Sequence, residues 1–285
     1  MANLRDIKRR ISSVKSTQKI TRAMKMVAAS KLRRAQESIV QARPYAYYMR
    51  DLADSLAARA EANAHPLLRR NEPSKIALVV FTSDRGLCGG FNANIVNRAM
   101  SFIRKENDGQ PVEITVIGRK GVEALSRRHE MIGQKYQGHN DAGFLRLAGD
   151  VVDTLVPQYE AREISAIYGL YNGFKSAVLQ EVTLEKLLPF EPLLDESEGS
   201  AADYIYEPSA EAILGSLLQQ HLTVQVHRML FESAASEYGA RMTAMDAATR
   251  NAGDVIGRLT LAYNRARQDA ITTQLIEVVS GAEAL

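Results

Sequence analysis

The chain has 285 residues, 46% of them hydrophobic and 24% charged, with a net charge of +3, one cysteine and no tryptophan. Such a composition is ample for a globular core, and the lone Cys88 excludes an internal disulfide framework or a cysteine-based metal cluster. No window approaches the ~18 uninterrupted apolar residues of a membrane helix, and the start, Met1 to Asp6, lacks the apolar core of a secretory signal. The expectation is therefore a chain that is soluble, or held to a membrane only through partners.

Residues 1–50 carry thirteen Lys and Arg against Asp6 and Glu37, a balance of +11, which leaves 23 basic against 31 acidic residues, or −8, for the remainder. An acidic partner for the N-terminal segment follows: nucleic acid, lipid head groups or an acidic protein surface. Proline first appears at position 44, and the stretch before it is rich in good helix formers. Apolar residues recur at Ile7, Ile11, Val14, then Ile20, Met24, Val27, then Leu32, Ala35, Ile39 and Ala42. These steps predict an amphipathic helix with a stutter around Gln18, continuing past Pro44 with a bend to about Ala64. Some sixty residues would span on the order of 90 Å.

From residue 75 the pattern changes. Lys75–Thr82 reads as a buried strand, and Ser83-Asp-Arg-Gly-Leu-Cys-Gly-Gly90 as a turn. A helix from about Asn92 to Lys105 follows, then a strand at Val112–Ile117 and a short helix at Gly121–Arg128. A further helix near Gly143–Tyr159 precedes strands at Glu163–Tyr171 and Ala177–Leu187. The alternation predicts a small α/β sheet covered by helices. Residues 194–203 read as an exposed acidic loop, and Tyr204–Glu207 as a return to the sheet.

Residues 209–285 are again free of proline. Tyr238, Met242, Met245, Thr249, Ala252, Ile256, Leu259, Tyr263, Ala266 and Ala270 follow alternating steps of four and three, a heptad seam with several small members. Two terminal helices this long need each other to bury their stripes, and ends that pair across an intervening domain run antiparallel.

The glycine cluster Gly86 to Gly90, after a strand and before a helix, occupies a position used elsewhere to cradle phosphate. It matches neither G-x-G-x-x-G nor G-x-x-x-x-G-K-[ST], so it reads as a structural turn or docking surface, with Arg85 as an exposed anchor for a partner carboxylate. Cys88 reads as a small buried residue. His65, His129, His139, His221 and His227 have no ligand or triad spacing, so no metal site is expected. The basic run from Lys8 to Arg34 surrounds a helix almost devoid of acids, which favours a negatively lined sleeve. Two other readings stand beside it: a nucleic-acid tether, weakened by the lack of any recognition module, and a nucleotide-dependent enzyme built on the central domain.

Three segments carry a resemblance to a known family. They are Ile7–Val14 with Thr17-Gln-Lys-Ile-Thr-Arg-Ala-Met-Lys-Met-Val-Ala-Ala-Ser-Lys31; Thr82-Ser-Asp-Arg-Gly-Leu-Cys-Gly-Gly-Phe-Asn92; and Glu237–Asp254 with Tyr263-Asn-Arg-Ala-Arg-Gln268 and Ile276-Glu-Val-Val-Ser-Gly281. Together they resemble the gamma subunits of F-type ATP synthases, in order and over the whole chain. The resemblance implies an α/β chain in which N- and C-terminal helices form a long antiparallel coiled coil with an inserted Rossmann-like domain, partitioned as 1–64, 75–207 and 208–285. It implies a rotor shaft coupling proton flow to ATP synthesis, with no catalytic residue and no cofactor of its own. Implied partners are the alpha and beta ring, the epsilon subunit and the ring of c subunits, with no nucleic acid. Arg267 and Gln268 are the implied catch for a beta loop, with Met24, Lys25 and Arg85 as secondary contacts. One cysteine argues against the two-cysteine redox insert of chloroplast forms. The absence of a presequence before Met1 makes the cytoplasmic face of a bacterial inner membrane the expected home.

Overall fold

The computed structural model describes residues 4–59, 65–128, 132–191 and 210–283. Among the described residues five α-helices and five strands follow in the order α1 (Leu4–Arg59), β1 (Lys75–Phe81), α2 (Phe91–Lys105), β2 (Val112–Ile117), α3 (Arg119–Leu125), β3 (Ile132–Tyr136), α4 (Phe144–Glu160), β4 (Ile164–Phe174), β5 (Gln180–Leu188) and α5 (Ala210–Glu283), with a 3-10 turn at Asp141–Gly143 leading into α4. The chain divides into two compact units, Met1–Ala28 with Arg241–Leu285, and Ala29–Ala240. The expected helical end at Ala64, the acidic loop 194–203 and the segment Tyr204–Glu207 lie outside the described residues.

In the first unit α1 and α5 pair antiparallel. Gln18 and Thr21 both meet Thr249, while Lys25, further along α1, meets Asp246, further back on α5. From residue 245 to 270 the α5 positions withdrawn from solvent include Met245, Thr249, Ala252, Ile256, Leu259, Tyr263, Ala266 and Ala270, while most of their neighbours are exposed. The heptad reading of α5 therefore coincides with its buried stripe. On α1 the reading needs correction. The withdrawn positions are Leu4, Ile7, Ile11, Val14, Gln18, Thr21, Lys25 and Ala28, an alternation of threes and fours with no stutter, and Met24 beside Lys25. Ile20 and Val27, expected in the seam, are 59% and 57% exposed. The polar Gln18 and Thr21 hold the seam because Thr249 gives them partners there: Gln18 Nε2 donates to the Thr249 carbonyl at 3.3 Å and the two threonine hydroxyls lie 2.7 Å apart.

The second unit is built on a five-stranded sheet of order β3-β2-β1-β4-β5, parallel except for β5, which returns antiparallel along β4. β1 is the central strand and is buried on both faces, as its continuous apolar run predicts. Ile76, Leu78 and Val80 form one core with Ile95, Val96, Ala99 and Phe102 of α2. On the opposite face the rings of Phe81 and Tyr171 meet edge to face at 6.4 Å, and Phe144 of α4 meets Phe231 of α5 at 5.3 Å. The Met229 side chain of α5 packs directly on β4 at Gly169, where a Cβ would lie 2.5 Å from Met229 Sδ.

Several boundaries differ from the sequence reading, and one strand is added to it. α3 begins at Arg119 because Asp84, from the loop after β1, accepts the Arg119 N–H at 2.9 Å and caps the helix from a distance. β5 begins at Gln180 because the Ser176 hydroxyl accepts the N–H groups of Val178 and Leu179, holding them in a turn. β3, absent from the sequence reading, is an edge strand with a Gly and two polar residues, so it carries no apolar alternation.

Candidate functional site

In the second unit the turn 82–90 sits at the carboxyl end of β1, beside the switch in strand order where α/β sheets commonly carry a site. Its polar groups are committed to one another. Asn92 on α2 accepts the Ser83 N–H at 3.0 Å and donates to the Ser83 hydroxyl at 2.7 Å and to Cys88 Sγ at 3.3 Å. Asp84 accepts the N–H groups of Arg119 and Gly138 through its two carboxylate oxygens, both at 2.9 Å, and so ties three loops together. Thr82 donates to the Ile117 carbonyl and accepts the Gly121 N–H. Gly118 at φ +97° passes so close that a Cβ would lie 2.2 Å from the Thr82 carbonyl oxygen. Cys88 is buried, as read from the sequence. What this knot presents outward is Arg85 and Leu87, both exposed, with Leu87 at φ 64°. The geometry is that of a rigid pedestal for an exposed tip.

In the first unit Met24 and Lys25 lie half-buried at the helix pair, and Lys25 Nζ donates to Asp246 Oδ1 at 2.5 Å. That hydrogen bond is the main reason the Asp246 carboxyl sits below the ordinary carboxylate range. Arg250, one turn on, reaches the other oxygen at 3.0 Å. Lys8, Arg9, Arg10, Lys15, Lys19 and Arg22 are exposed, as are the apolar Ile20, Met26 and Val27. The outer face of this stretch of α1 is thus basic with apolar spots.

Arg267 and Gln268 are adjacent and exposed on α5, outside the seam that Ala266 and Ala270 continue. Stepping both seams from the Thr21 and Thr249 contact sets Leu4 opposite Ala266, so Arg267 and Gln268 stand just past the first described residue of α1. They are about 30 Å along the helix from Asp246, at 1.5 Å per residue. The residues expected to contact one partner therefore form separate stations and not one pocket. Beyond them Ile271, Leu275, Ile276, Val278 and Val279 are 49–70% exposed, an apolar helix end with no described α1 residue opposite it.

Sequence reasoning missed a charged cluster in the second unit. Arg228 of α5 donates through Nη2 to both oxygens of Glu185 on β5 at 2.7 Å, through Nη1 to the Tyr171 hydroxyl and Glu232, and through Nε to Gln225. Its guanidinium also lies over the Tyr171 ring, 5.6 Å from the centroid. Burial pushes the Tyr171 hydroxyl up to about 12. His221, buried against Phe190, is held down to about 4 by desolvation first and then by Arg50 and Arg228. It is a neutral packing residue through the physiological range. Among the described residues no group of three or more His, Cys, Asp or Glu is placed to hold a metal ion, and no helix is long and apolar enough to cross a membrane.

A family model described as ATP synthase matches residues 3–285. The ATP synthase gamma chain of Geobacter sp. (strain M21) is 48% identical over 287 residues, covering 100% of this chain and 99% of the relative. That of Geobacter metallireducens is 49% identical over 289 residues with the same coverage. Among solved structures, the central stalk and c-ring of the Tetrahymena thermophila mitochondrial ATP synthase contains a chain 25% identical, with a TM-score of 0.60, covering 80% of this chain and 99% of that one. A chain of the Euglena gracilis mitochondrial ATP synthase, solved with OSCP, F1 and c-ring, shares the fold at a TM-score of 0.71 and 19% identity, covering 99% of this chain and 94% of that one. The paired heptad seams, the parallel sheet inserted between them and full-length identity near one half leave one conclusion: the chain belongs to the ATP synthase gamma chain family.

Proposed function

We propose that the chain is the rotor shaft of a bacterial F-type ATP synthase, transmitting rotation between a proton-driven membrane sector and the catalytic sites of an alpha and beta ring, with no catalytic residue of its own. The observation that carries this reading is the first unit. It is a narrow antiparallel helix pair whose seam is satisfied internally, and whose outer face carries exposed positive charge at Lys8, Arg9, Arg10, Lys15, Lys19 and Arg22 and an apolar α5 end. A surface of that kind needs a sleeve, acidic along its side and apolar at its end. Arg267 and Gln268 are the catch for an acidic beta loop, because an exposed guanidinium next to an amide grips a carboxylate through two parallel hydrogen bonds. Met24 and Lys25 are secondary contacts on the first unit, and Arg85 is one on the turn of the second. The secondary contacts must break at each step, and exposed pairs worth about 0.2–1 kcal/mol suit that.

The working partition is 1–64 and 208–285 for the shaft helices and 75–207 for the inserted domain. The second unit and adjoining helix segments hold the epsilon subunit and the ring of c subunits, and the chain resides on the cytoplasmic face of the inner membrane through those partners. Co-purification tests the reading. The full chain is expected to co-purify with two larger nucleotide-binding chains in threefold copy, while alone it hydrolyses no ATP. Turnover by the isolated chain, or purification without such partners, contradicts it.

A further inference from the structure

Lys25 differs in exposure from six other cations along α1 in the first unit. Lys8, Arg9, Arg10, Lys15, Lys19 and Arg22 point to solvent, whereas Lys25 is drawn half into the helix pair by a carboxylate on the opposing helix. That carboxylate is shared. Asp246 Oδ1 takes Lys25 at 2.5 Å and Oδ2 takes Arg250 at 3.0 Å, and the side chains are 43%, 31% and 71% exposed for Lys25, Asp246 and Arg250. The group is therefore accessible, carries one surplus positive charge, and sits one helical turn from the hydrogen-bonded layer of Gln18, Thr21 and Thr249 that fixes its two backbones. A lysine of the seam and an aspartate at its edge add little to pairing by burial, so their chemistry needs another account.

We propose that Asp246 is a positioning residue that competes with an acidic partner loop for Lys25 and Arg250 and so keeps that contact releasable. The inference rests on the rotor reading above. When a partner carboxylate takes Lys25, Asp246 retains Arg250, and neither carboxylate is left without a cation. When the partner withdraws, Lys25 returns across the helix pair over a short path. The fixed negative charge also opposes the incoming carboxylate, which lowers the depth of the well in which the shaft pauses. Removing that charge leaves two cations facing the loop with no competitor. The contact tightens and the passing step slows.

The test uses the full chain assembled with its alpha and beta chains, comparing ATP hydrolysis at low and high salt. Asp246→Asn keeps the side-chain shape and removes the charge. It is expected to hydrolyse ATP about two- to five-fold more slowly at low salt, the range that one exposed ion pair commands, and to recover at high salt as the charges are screened. Lys25→Gln in the same background is expected to return the low-salt rate toward that of the unsubstituted complex, and Asp246→Glu to leave it unchanged. Unaltered turnover of Asp246→Asn at both salts, slow turnover at both salts, failure of Lys25→Gln to restore the rate, or failure of Asp246→Asn to assemble each overturns the proposal. An unsubstituted chain that does not assemble with the ring defeats the rotor reading itself. Assembly with full turnover that ignores Asp246→Asn defeats only the role given to Asp246.

Discussion

Replacing Arg267 and Gln268 together by alanine is expected to lower proton-driven ATP synthesis by the assembled complex about tenfold, while the isolated chain keeps its stability within about 0.5 kcal/mol. The two halves of that expectation have different sources. Both side chains are exposed and off the seam, so their removal opens no cavity and breaks no pairing contact. A guanidinium held by a partner carboxylate through two charge-assisted hydrogen bonds commands roughly 1.5–3 kcal/mol, and partial exposure places the effect near the lower end. Arg267→Lys keeps the charge but not the planar fork, so it is expected to fall between the parent and Arg267→Ala. Asn264→Ala, on an exposed neighbour nearer the described start of α1, serves as a control with no loss. Rates of synthesis in reconstituted vesicles, with thermal unfolding of the free chain, separate coupling from folding. A tenfold loss accompanied by an equal loss of chain stability would contradict the assignment.

Arg228→Leu is expected to destabilise the second unit by about 3 kcal/mol, visible as a fall of roughly 5–10 °C in the thermal midpoint of the isolated chain. The side chains of Arg228 and Glu185 are only 27% and 28% exposed, and Arg228 is the cation to which both Glu185 oxygens are bound. Its loss strands Glu185 in a poorly solvated place and leaves Glu232 and the Tyr171 hydroxyl short of a donor. Residual exposure keeps the cost at the lower end of that for a fully buried pair. Because the larger part of that cost is the stranded carboxylate, Arg228→Leu combined with Glu185→Leu is expected to recover most of the loss. Arg228→Lys, which cannot serve both Glu185 oxygens and Tyr171 in one plane, is expected to lose about 1–2 kcal/mol. A midpoint indifferent to Arg228→Leu would mean that apolar packing of Met229, Phe231 and Tyr238 alone holds α5 against the sheet.

What could be read in advance depended on whether a residue's environment is set by its neighbours in sequence. The α5 seam from Met245 to Ala270 was legible because periodicity is a local property, and the buried stripe follows it. The α1 seam was misread at Ile20 and Val27 because apolar character was followed and the heptad step was not. Continuing the spacing of Ile7, Ile11 and Val14 leads to Gln18 and Thr21, which the structure buries against Thr249. β3 had no signal, being a short edge strand without alternation. The Asp84 cap on α3 and the bond of Arg228 to Glu185 join residues 35 and 43 positions apart, and nothing in the sequence alone pairs them. Of the candidate contacts, Arg85 was legible from the turn that carries it, and Arg267, Gln268, Met24 and Lys25 only through family motifs. The fold then separated them into an exposed station at Arg267 and Gln268, a half-buried one at Lys25 already holding Asp246, and a rigid tip at Arg85. The glycine cluster beside Arg85 proved to be a knot of internal hydrogen bonds around Asn92, Asp84 and Thr82.

A rotor shaft turns inside its ring as ATP is hydrolysed. The direct measurement fixes the assembled alpha and beta ring to a surface, attaches a probe to an exposed residue of the second unit such as Leu145 replaced by cysteine, and follows the probe during ATP hydrolysis. Sustained rotation in one direction, in three equal steps per turn and stopping when ATP is exhausted, is the predicted result. A ring that hydrolyses ATP at full rate while the probe stays fixed would contradict it.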